Sequence, residues 1–125
     1  MTATALIVDD EVDLCRLMQI TLTKMGRKCD VAYTLTQAQD YWQNNSYDFC
    51  LTDLKLPDGS GLELVKQISS SSTTPVAVIT AFGSMDLAIE ALKLGAFDFV
   101  NKPLELPRLR QLVENALKVV SRDND

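Results

Sequence analysis

The chain has 125 residues, of which 46% are hydrophobic and 23% are charged. That length allows one ordinary domain, and that composition is typical of a globular core rather than of a disordered chain or a membrane protein. The 12 basic and 17 acidic residues give a net charge of −5, which argues against a nucleic-acid-binding surface, and the absence of histidine excludes Ser-His-Asp and Cys-His mechanisms within this chain.

Targeting signals and disulfides are not expected. No apolar run approaches the roughly 20 residues that a membrane-spanning helix needs, and the start of the chain, MTATALIVDD, lacks the features of a signal peptide. We therefore expect a cytoplasmic protein that makes no membrane contact. The three cysteines, Cys15, Cys29 and Cys50, lie among apolar neighbours, which predicts reduced, packed thiols rather than disulfides or a metal site.

Apolar runs suited to buried strands alternate five times with stretches of helical spacing. The strands are predicted, in chain order, at residues 5–8, 28–32, 49–52, 76–79 and 96–100. The helices are predicted at residues 12–25, 34–44, 62–68, 85–94 and 105–120. This alternation predicts a parallel sheet covered on both faces, that is, a doubly wound α/β sandwich.

Local signals predict how several of these elements begin and end. Thr34 and Gln37 form a capping box at the start of the second helix, and Ser84 is a candidate cap for the fourth. A turn is predicted at residues 57–61, and the serine and threonine run at residues 69–74 is predicted to be a solvated loop. The first helix is predicted from the near-helical spacing of its apolar residues, which are Val12, Leu14, Leu17, Met18, Leu22 and Met25.

Polar residues useful in phosphate chemistry follow four of the predicted strands. They are Asp9 and Asp10, Asp53, Thr80 and Lys102. Because the carboxyl ends of parallel strands meet at one edge of a sheet, we expect three acids, a hydroxyl and an ammonium group to converge there. Three acids that lie so close repel one another unless a cation lies between them. The cluster therefore predicts a site for a hard cation, and magnesium is the preferred ion.

For other residues a structural role competes with a functional one. Glu11 and Asp13 are interpreted as charges that favour the N-terminus of the first helix rather than as ligands. Taken singly, Thr80 could be a helix cap, Lys102 a solvated lysine and Phe99 a core residue. Only their joint spacing favours a phosphate site.

Four segments together resemble the receiver domain of two-component response regulators. They are IVDDE, LTDLKLPDGSGLEL, ITAFGS and GAFDFVNKP, and the resemblance covers residues 4–120. PDGSGLEL, ITAFGSMDLAIEALKLGAFDF and the Lys-Pro that follows are similar to the nitrogen-regulation type, which activates sigma-54 promoters, and FCLTD, TPVA and ALKLGAFDF approach the type IV pilus regulators. The resemblance implies one CheY-like (βα)5 receiver domain over residues 1–125, with strand order 2-1-3-4-5.

The resemblance also implies roles for the acids. Asp53 matches the phosphoacceptor, and Asp10 and Asp53 would bind Mg2+ directly, with Mn2+ or Ca2+ as substitutes. Asp9 matches an acid that acts through a metal-bound water, and the backbone carbonyl of Lys55 matches the third protein ligand. In the family, side chains at the positions of Lys55 and Phe82 tune water access, and a long lysine with a bulky aromatic implies slow self-hydrolysis.

Further roles concern the phosphoryl group and the switch. Thr80 and Lys102 match the residues that contact phosphoryl oxygens, and Phe99 matches the switch aromatic. The family usually has a cis bond after this lysine, so the bond to Pro103 is expected to be cis. A phosphoryl group adds roughly −1.5 to −2 charge, which is expected to pull Thr80 inward and to shift the helix at residues 85–94.

The implied function is that of a phosphorylation-activated signal receiver, which catalyses only its own phosphorylation and dephosphorylation. Because the chain lacks histidine, the phosphohistidine must come from a cognate sensor histidine kinase. The kinase is expected to contact the first helix at Leu14, Cys15, Met18 and Gln19. A homodimer is expected to form through residues 85–105, and DNA would be reached only through an output domain that lies outside this sequence.

Three alternatives remain open from the sequence. The chain could be a stand-alone receiver that acts in a phosphorelay. A magnesium-dependent aspartyl-phosphate phosphatase of the haloacid-dehalogenase type is disfavoured, because Lys55 occupies the position of its second acid. A flavodoxin-like binding module is disfavoured because the acids after the first strand repel phosphate.

Overall fold

The structure, a computed structural model, describes residues 3–81 and 84–123. The strands of this part are β1 (Ala3–Val8), β2 (Arg27–Ala32), β3 (Phe49–Asp53), β4 (Lys55–Leu56), β5 (Gly59–Ser60), β6 (Val76–Thr80) and β7 (Asp98–Asn101). The helices are α1 (Val12–Lys24), α2 (Leu35–Asn44), α3 (Gly61–Ser71), α4 (Met85–Leu94) and α5 (Leu106–Asp123). None of these helices combines the length and the apolar character that crossing a membrane requires.

Five of the strands form a parallel sheet in the order β2-β1-β3-β6-β7. This confirms the expected order 2-1-3-4-5, because β4 and β5 form a separate antiparallel hairpin. The sequence predicts only a turn at that place, since two strands of two residues each are too short to show a period. The observed architecture is therefore the predicted sandwich with one added hairpin after β3.

The register of the sheet brings the ends of the central strands to one edge. Asp53, the last residue of β3, pairs with Ile79, and Thr80, the last residue of β6, pairs with Asn101 at the end of β7. Because the five strands run in parallel, the residues that follow β1, β3, β6 and β7 all lie at the carboxyl edge.

The core lies on both faces of the sheet. From β1, Leu6 and Val8 belong to a cluster beneath α2, α3 and α4, whereas Ala5 and Ile7 belong to a cluster beneath α1 and α5. Burial on both faces explains why the central strands β1, β3 and β6 are mostly continuous apolar runs, whereas the edge strands β2 and β7 are not. All three cysteines are free and buried, as predicted.

The helix caps agree only in part with the sequence signals. The hydroxyl of Thr34 accepts a hydrogen bond from the N–H of Gln37 at 3.1 Å, and the Gln37 side chain accepts one from the N–H of Tyr33 at 2.8 Å. The predicted capping box is thus present, except that the Gln37 side chain accepts from the N–H of Tyr33 and not from that of Thr34. Ser84 occupies the predicted N-cap position of α4, but its side chain accepts no capping hydrogen bond.

Two predicted boundaries are wrong. Helix α3 continues to Ser71, and the hydroxyls of Ser70 and Ser71 donate to the carbonyl of Gln67, so the helix satisfies these polar groups internally. The last strand begins at Asp98 rather than at residue 96. The N–H of Ala96 donates to the carbonyl of Ala91 and so forms the Schellman motif that ends α4.

Helix α1 buries only some of the apolar residues from which it is predicted. Cys15, Met18 and Leu22 are buried, as their spacing of three and four residues requires. Val12 and Leu17, which share the helical spacing, are 53% and 40% exposed. The burial of Cys15 and Met18 removes them from the expected kinase contact.

Candidate functional site

Three carboxylates that the sequence assigns to one site meet at the carboxyl edge of the sheet. One oxygen each from Asp9, Asp10 and Asp53 lies within 4.8 Å of the others. Asp9 is fully buried and Asp53 is 6% exposed, whereas Asp10 lies at the surface. Two acids thus form the buried part of the pocket, and one faces solvent.

Backbone N–H groups orient the two buried acids. An oxygen of Asp9 accepts from the N–H of Glu11 at 2.9 Å, and an oxygen of Asp53 accepts from the N–H of Lys55 at 3.1 Å. In both cases the donor lies two residues later, where the chain leaves the strand. Each carboxylate is therefore held by the loop that follows its own strand.

Helix α3 begins directly behind the strand that carries Asp53. The N–H of Gly61 donates to the carbonyl of Leu54 at 3.0 Å. A Cβ at position 61 would lie 2.0 Å from the backbone oxygen of Asp53, a distance that no side chain tolerates. Glycine is required here because the backbones approach so closely.

The β4–β5 hairpin is tied to α2 through Asp58. Its carboxylate accepts from the N–H of Leu35 at 2.7 Å and from the hydroxyl and N–H of Thr36 at 2.7 and 3.0 Å. These hydrogen bonds, the one from the Thr36 hydroxyl foremost, lower the pKa of Asp58 to about 2. The hairpin that carries Lys55 is thus anchored by a residue that the sequence analysis did not single out.

Lys102 lies among the acids. Its Nζ is 2.9 Å from Asp53 Oδ2 and 3.1 Å from Asp9 Oδ2. It also contacts the carboxylate of Glu11. Burial by itself would lower the pKa of Lys102, but its hydrogen bonds to Glu11 and Asp53 and its ion pair with Asp9 outweigh burial and raise the pKa. In this structure the lysine is the counter-ion of the acidic pocket.

Glu11 takes part in the site, contrary to its interpretation as helix-terminus charge alone. Its backbone occupies the N-cap position of α1, and its side chain, 57% exposed, pairs with Lys102. The two residues are 91 positions apart, so local spacing could not reveal the contact. A pair this exposed contributes about 0–1 kcal/mol. Asp13 lies in the first turn of α1, where its charge suits the helix dipole.

The donor set fits a divalent cation. Burial raises the pKa of Asp9 to about 6, against the lowering effect of the Glu11 N–H and of Lys102. One oxygen of Asp9 is buried without a hydrogen-bond partner, although it lies beside the lysine ammonium. Buried carboxylate oxygens in this arrangement are the ligands that magnesium prefers.

Thr80 lies at the same edge, but its hydroxyl is directed to the neighbouring strand. Thr80 is 1% exposed, and its Oγ1 donates to Oδ1 of Asn101 at 2.7 Å and lies 3.4 Å from the carbonyl of Val100. The carbonyl of Thr80 accepts from the N–H of Lys102 at 2.8 Å. Within the described part of the chain, no hydrogen bond joins Thr80 to Asp53.

The remaining predicted residues lie around this edge. Phe99 is half-buried and packs against the core cluster beneath α2, α3 and α4. Arg108 of α5 donates to the carbonyl of Phe99 at 3.0 Å. The peptide bond between Lys102 and Pro103 is cis. Phe82, to which a role in hydrolysis was assigned by resemblance, lies outside the described residues.

Helix α4 carries an exposed apolar stripe next to this region. Met85, Ile89 and Leu92 are 47%, 46% and 38% exposed, and their spacing of four and three residues places them on one side of the helix. Ala88 and Ala91 are fully buried and hold the opposite side against the core. The helix therefore contacts the core through these alanines and through the partly buried Leu87 and Leu94, and it leaves Met85, Ile89 and Leu92 exposed.

Comparison with known proteins gives a consistent answer. Residues 5–114 match the family described as response regulator receiver domain. The response regulator protein PilR of Pseudomonas aeruginosa is 52% identical over 116 residues, which are 92% of this chain and 26% of PilR. The transcriptional regulatory protein ZraR of Salmonella typhimurium is 34% identical over 90% of this chain. The chain spans about a quarter of the length of these curated relatives.

Solved structures agree with this result. NtrX from Brucella abortus superimposes with a TM-score of 0.91 at 29% identity, over 99% of this chain and 29% of NtrX. The resemblance that the motifs indicate is thus confirmed at the level of sequence and of fold.

Proposed function

The chain belongs to the response regulator receiver domain family, the phosphorylation-dependent signal receivers of two-component systems, and on that premise we propose that Asp53 is its phosphoacceptor. The observation that carries this proposal is the meeting of Asp53 with two further acids and Lys102 at one edge of the sheet. Such a pocket can hold a cation and a phosphoryl group together, because each neutralises charge that the other brings.

The chemistry assigned to the protein is a transfer between an incoming phosphohistidine and a carboxylate. A bond forms from an Asp53 oxygen to phosphorus while the phosphorus–nitrogen bond of the donor breaks, and the imidazole leaves with the electron pair. Lys102 Nζ already lies 2.9 Å from Asp53, so its positive charge is in place for the phosphoryl oxygens. The Thr80 hydroxyl, one residue beyond the partner of Asp53 in the register, would donate to another oxygen.

Magnesium is the proposed cofactor. Asp10 and Asp53 would bind it directly, Asp9 through a water, and Lys55 through its backbone carbonyl, and Mn2+ or Ca2+ would substitute. When bound, the ion neutralises charge on the acids and on the transferred group. Asp53 needs only to be an ionised nucleophile, since orientation by the Lys55 N–H is already present.

The proposed donor is a cognate sensor histidine kinase. The exposed apolar residues of α1 are Val12, Leu17 and Ile20, of which Ile20 is 48% exposed. Helix α1 begins three residues after Asp9, so this face adjoins the pocket. We expect the kinase to contact these side chains rather than the buried pair Cys15 and Met18.

The proposed consequence of phosphorylation is a change in α4 and β7. Attraction of Thr80 to the phosphoryl group would pull the end of β6 toward Asp53, and Phe99 on the adjacent strand β7 would repack. The stripe Met85, Ile89 and Leu92 would then contribute to a homodimer contact through residues 85–105, because burying it removes apolar surface from water.

The output is proposed by analogy with the longer relatives. The resemblance to the nitrogen-regulation type favours a cytoplasmic transcriptional regulator that activates sigma-54 promoters, in which DNA is contacted by an output domain. A stand-alone receiver in a phosphorelay is the second candidate.

Intact-mass measurement after incubation with acetyl phosphate and magnesium tests the proposal. We expect a gain of one phosphoryl group, its loss in Asp53→Asn, and its retention in Asp40→Asn, a control that removes an exposed carboxylate from α2. Slow decay of the adduct would agree with a long lysine at position 55. Rapid phosphate turnover without an adduct would instead favour a phosphatase.

A further inference from the structure

The hydrogen bond between Thr80 and Asn101 is the feature of the site that the proposed function leaves unexplained. Thr80 is almost fully buried and Asn101 is exposed, and the two residues pair directly across β6 and β7. The Thr80 hydroxyl has one proton, and at 2.7 Å the Asn101 oxygen is a better acceptor than the Val100 carbonyl at 3.4 Å. That proton is therefore committed to Asn101 in this structure.

We propose that Asn101 is a positioning residue that holds the Thr80 hydroxyl away from Asp53 until a phosphoryl group competes for it. This inference rests on the proposed function, in which Thr80 donates to a phosphoryl oxygen. A hydroxyl proton cannot serve Asn101 and a phosphoryl oxygen at once, so the transition must break the cross-strand bond. Asn101 thus sets how readily the site switches.

The size of the expected change in affinity depends on the hydrogen bonds that Asn101 and Thr80 make before and after Thr80 turns to the phosphoryl group. Asn101 is exposed, so water replaces its lost partner when Thr80 turns away. In Asn101→Ala the Thr80 hydroxyl keeps only the distant Val100 carbonyl before switching. Since a hydrogen bond of this kind changes an equilibrium constant by roughly 2- to 12-fold, removal of the Asn101 acceptor should tighten binding of a phosphoryl mimic by that factor.

The position of Asn101 also connects the two phosphoryl contacts. It precedes Lys102, whose N–H donates to the Thr80 carbonyl, and it follows Phe99 by two residues on the same strand. Release of the Asn101 side chain therefore removes one of the hydrogen bonds between the ends of β6 and β7, while the backbone bond from Lys102 to Thr80 remains. The same bond that restrains Thr80 restrains the strand that carries Phe99.

The test is titration of the protein with beryllofluoride in the presence of magnesium, followed by calorimetry. Asn101→Ala is compared with the wild type, and both are compared in a Thr80→Val background, in which the hydroxyl is missing. Asn44→Ala is the matched control, because it removes an asparagine that makes one hydrogen bond, to Asp40, on the exposed side of α2. Scalar couplings that report the Thr80 χ1 rotamer are measured without beryllofluoride.

We expect Asn101→Ala to bind beryllofluoride roughly 2- to 12-fold more tightly than the wild type and to release Thr80 from its single rotamer. We expect no effect of Asn101→Ala in the Thr80→Val background and none of Asn44→Ala. Unchanged affinity, or an equal gain in both backgrounds, would overturn the role of Asn101. If the wild type bound no beryllofluoride and accepted no phosphoryl group, the proposed function would fail instead. An unaltered Thr80 rotamer in Asn101→Ala would separately reject the role of Asn101.

Discussion

The buried acid of the pocket should destabilise the magnesium-free protein, and its replacement by asparagine should therefore raise stability. Asp9 is fully buried, and burial raises its pKa to about 6 from an ordinary 3.8. Because the folded state holds this proton more tightly than the unfolded chain does, stability falls as pH rises from about 4 to 6. Above about pH 6 the loss is complete and corresponds to about 3 kcal/mol, a figure that already includes the opposing effects of the Glu11 N–H and of Lys102.

Urea unfolding of the wild type and of Asp9→Asn, without magnesium, measures this effect. Near pH 7 the variant should show a midpoint higher by roughly 1 to 3 M, and near pH 4 the two proteins should coincide. Magnesium should stabilise the wild type and narrow the difference, since the ion favours the charged acid. Asp10→Asn, which removes an exposed acid from the same cluster, is the control and should shift the unfolding free energy by less than about 0.5 kcal/mol.

Two results would refute this reasoning. One is a variant less stable than the wild type near neutral pH, which would mean that the Glu11 N–H and Lys102 over-compensate the burial of Asp9. The other is an identical pH dependence in both proteins, which would place the titration between pH 4 and 6 on another group. Either outcome would also weaken the case that this pocket gains free energy from a cation.

Three further predictions concern the surroundings of the site. Gly61→Ala should lower the free energy of unfolding by roughly 1–3 kcal/mol and reduce the phosphoryl mass gain, because the new Cβ would meet the Asp53 carbonyl; normal urea stability would contradict this. Asp58→Ala should unfold at a lower temperature than the wild type near pH 7. The difference in unfolding temperature should vanish as pH falls through the lowered pKa of about 2, since only the ionised carboxylate accepts all of its hydrogen bonds. A difference that persists at low pH in thermal scans would contradict this prediction. Ile89→Lys should reduce the dimer fraction of beryllofluoride-treated protein in sedimentation experiments, whereas Ile20→Lys, an equally exposed apolar position on α1, should not; equal losses would indicate a nonspecific effect.

The sheet and the strand-end acids were predictable because both follow from local patterns. Continuous apolar runs predict strands buried on both faces, and parallel strands place the residues after them at one edge. Asp9, Asp10 and Asp53 therefore meet although more than 40 residues separate the first pair from the third. This result does not require knowledge of individual side-chain contacts, since the topology of the sheet alone brings the three positions together.

Contacts between side chains of distant elements were not predictable in the same way. The Glu11 carboxylate contacts Lys102, and the Thr80 hydroxyl donates to Asn101 rather than to Asp53. Each depends on which rotamer the neighbouring elements leave open, and sequence spacing does not encode that choice. The spacing of apolar residues predicts helix α1 but does not show which of them are buried, and packing buries Cys15 while it leaves Val12 and Leu17 exposed.

The charge of the pocket connects its stability to its function. Burial of Asp9 beside Asp53 lowers the free energy of unfolding. A cation that binds only the folded state relieves part of this unfavourable burial, and that relief contributes to the binding free energy of the cation. Lys102 limits both quantities, since its ammonium already neutralises part of the acid charge at 2.9 and 3.1 Å. Cation affinity should therefore be lower than for three acids without a lysine. If Lys102 binds phosphoryl oxygens as proposed, its positive charge is in place before the donor arrives, and the transfer would need little rearrangement of this side chain.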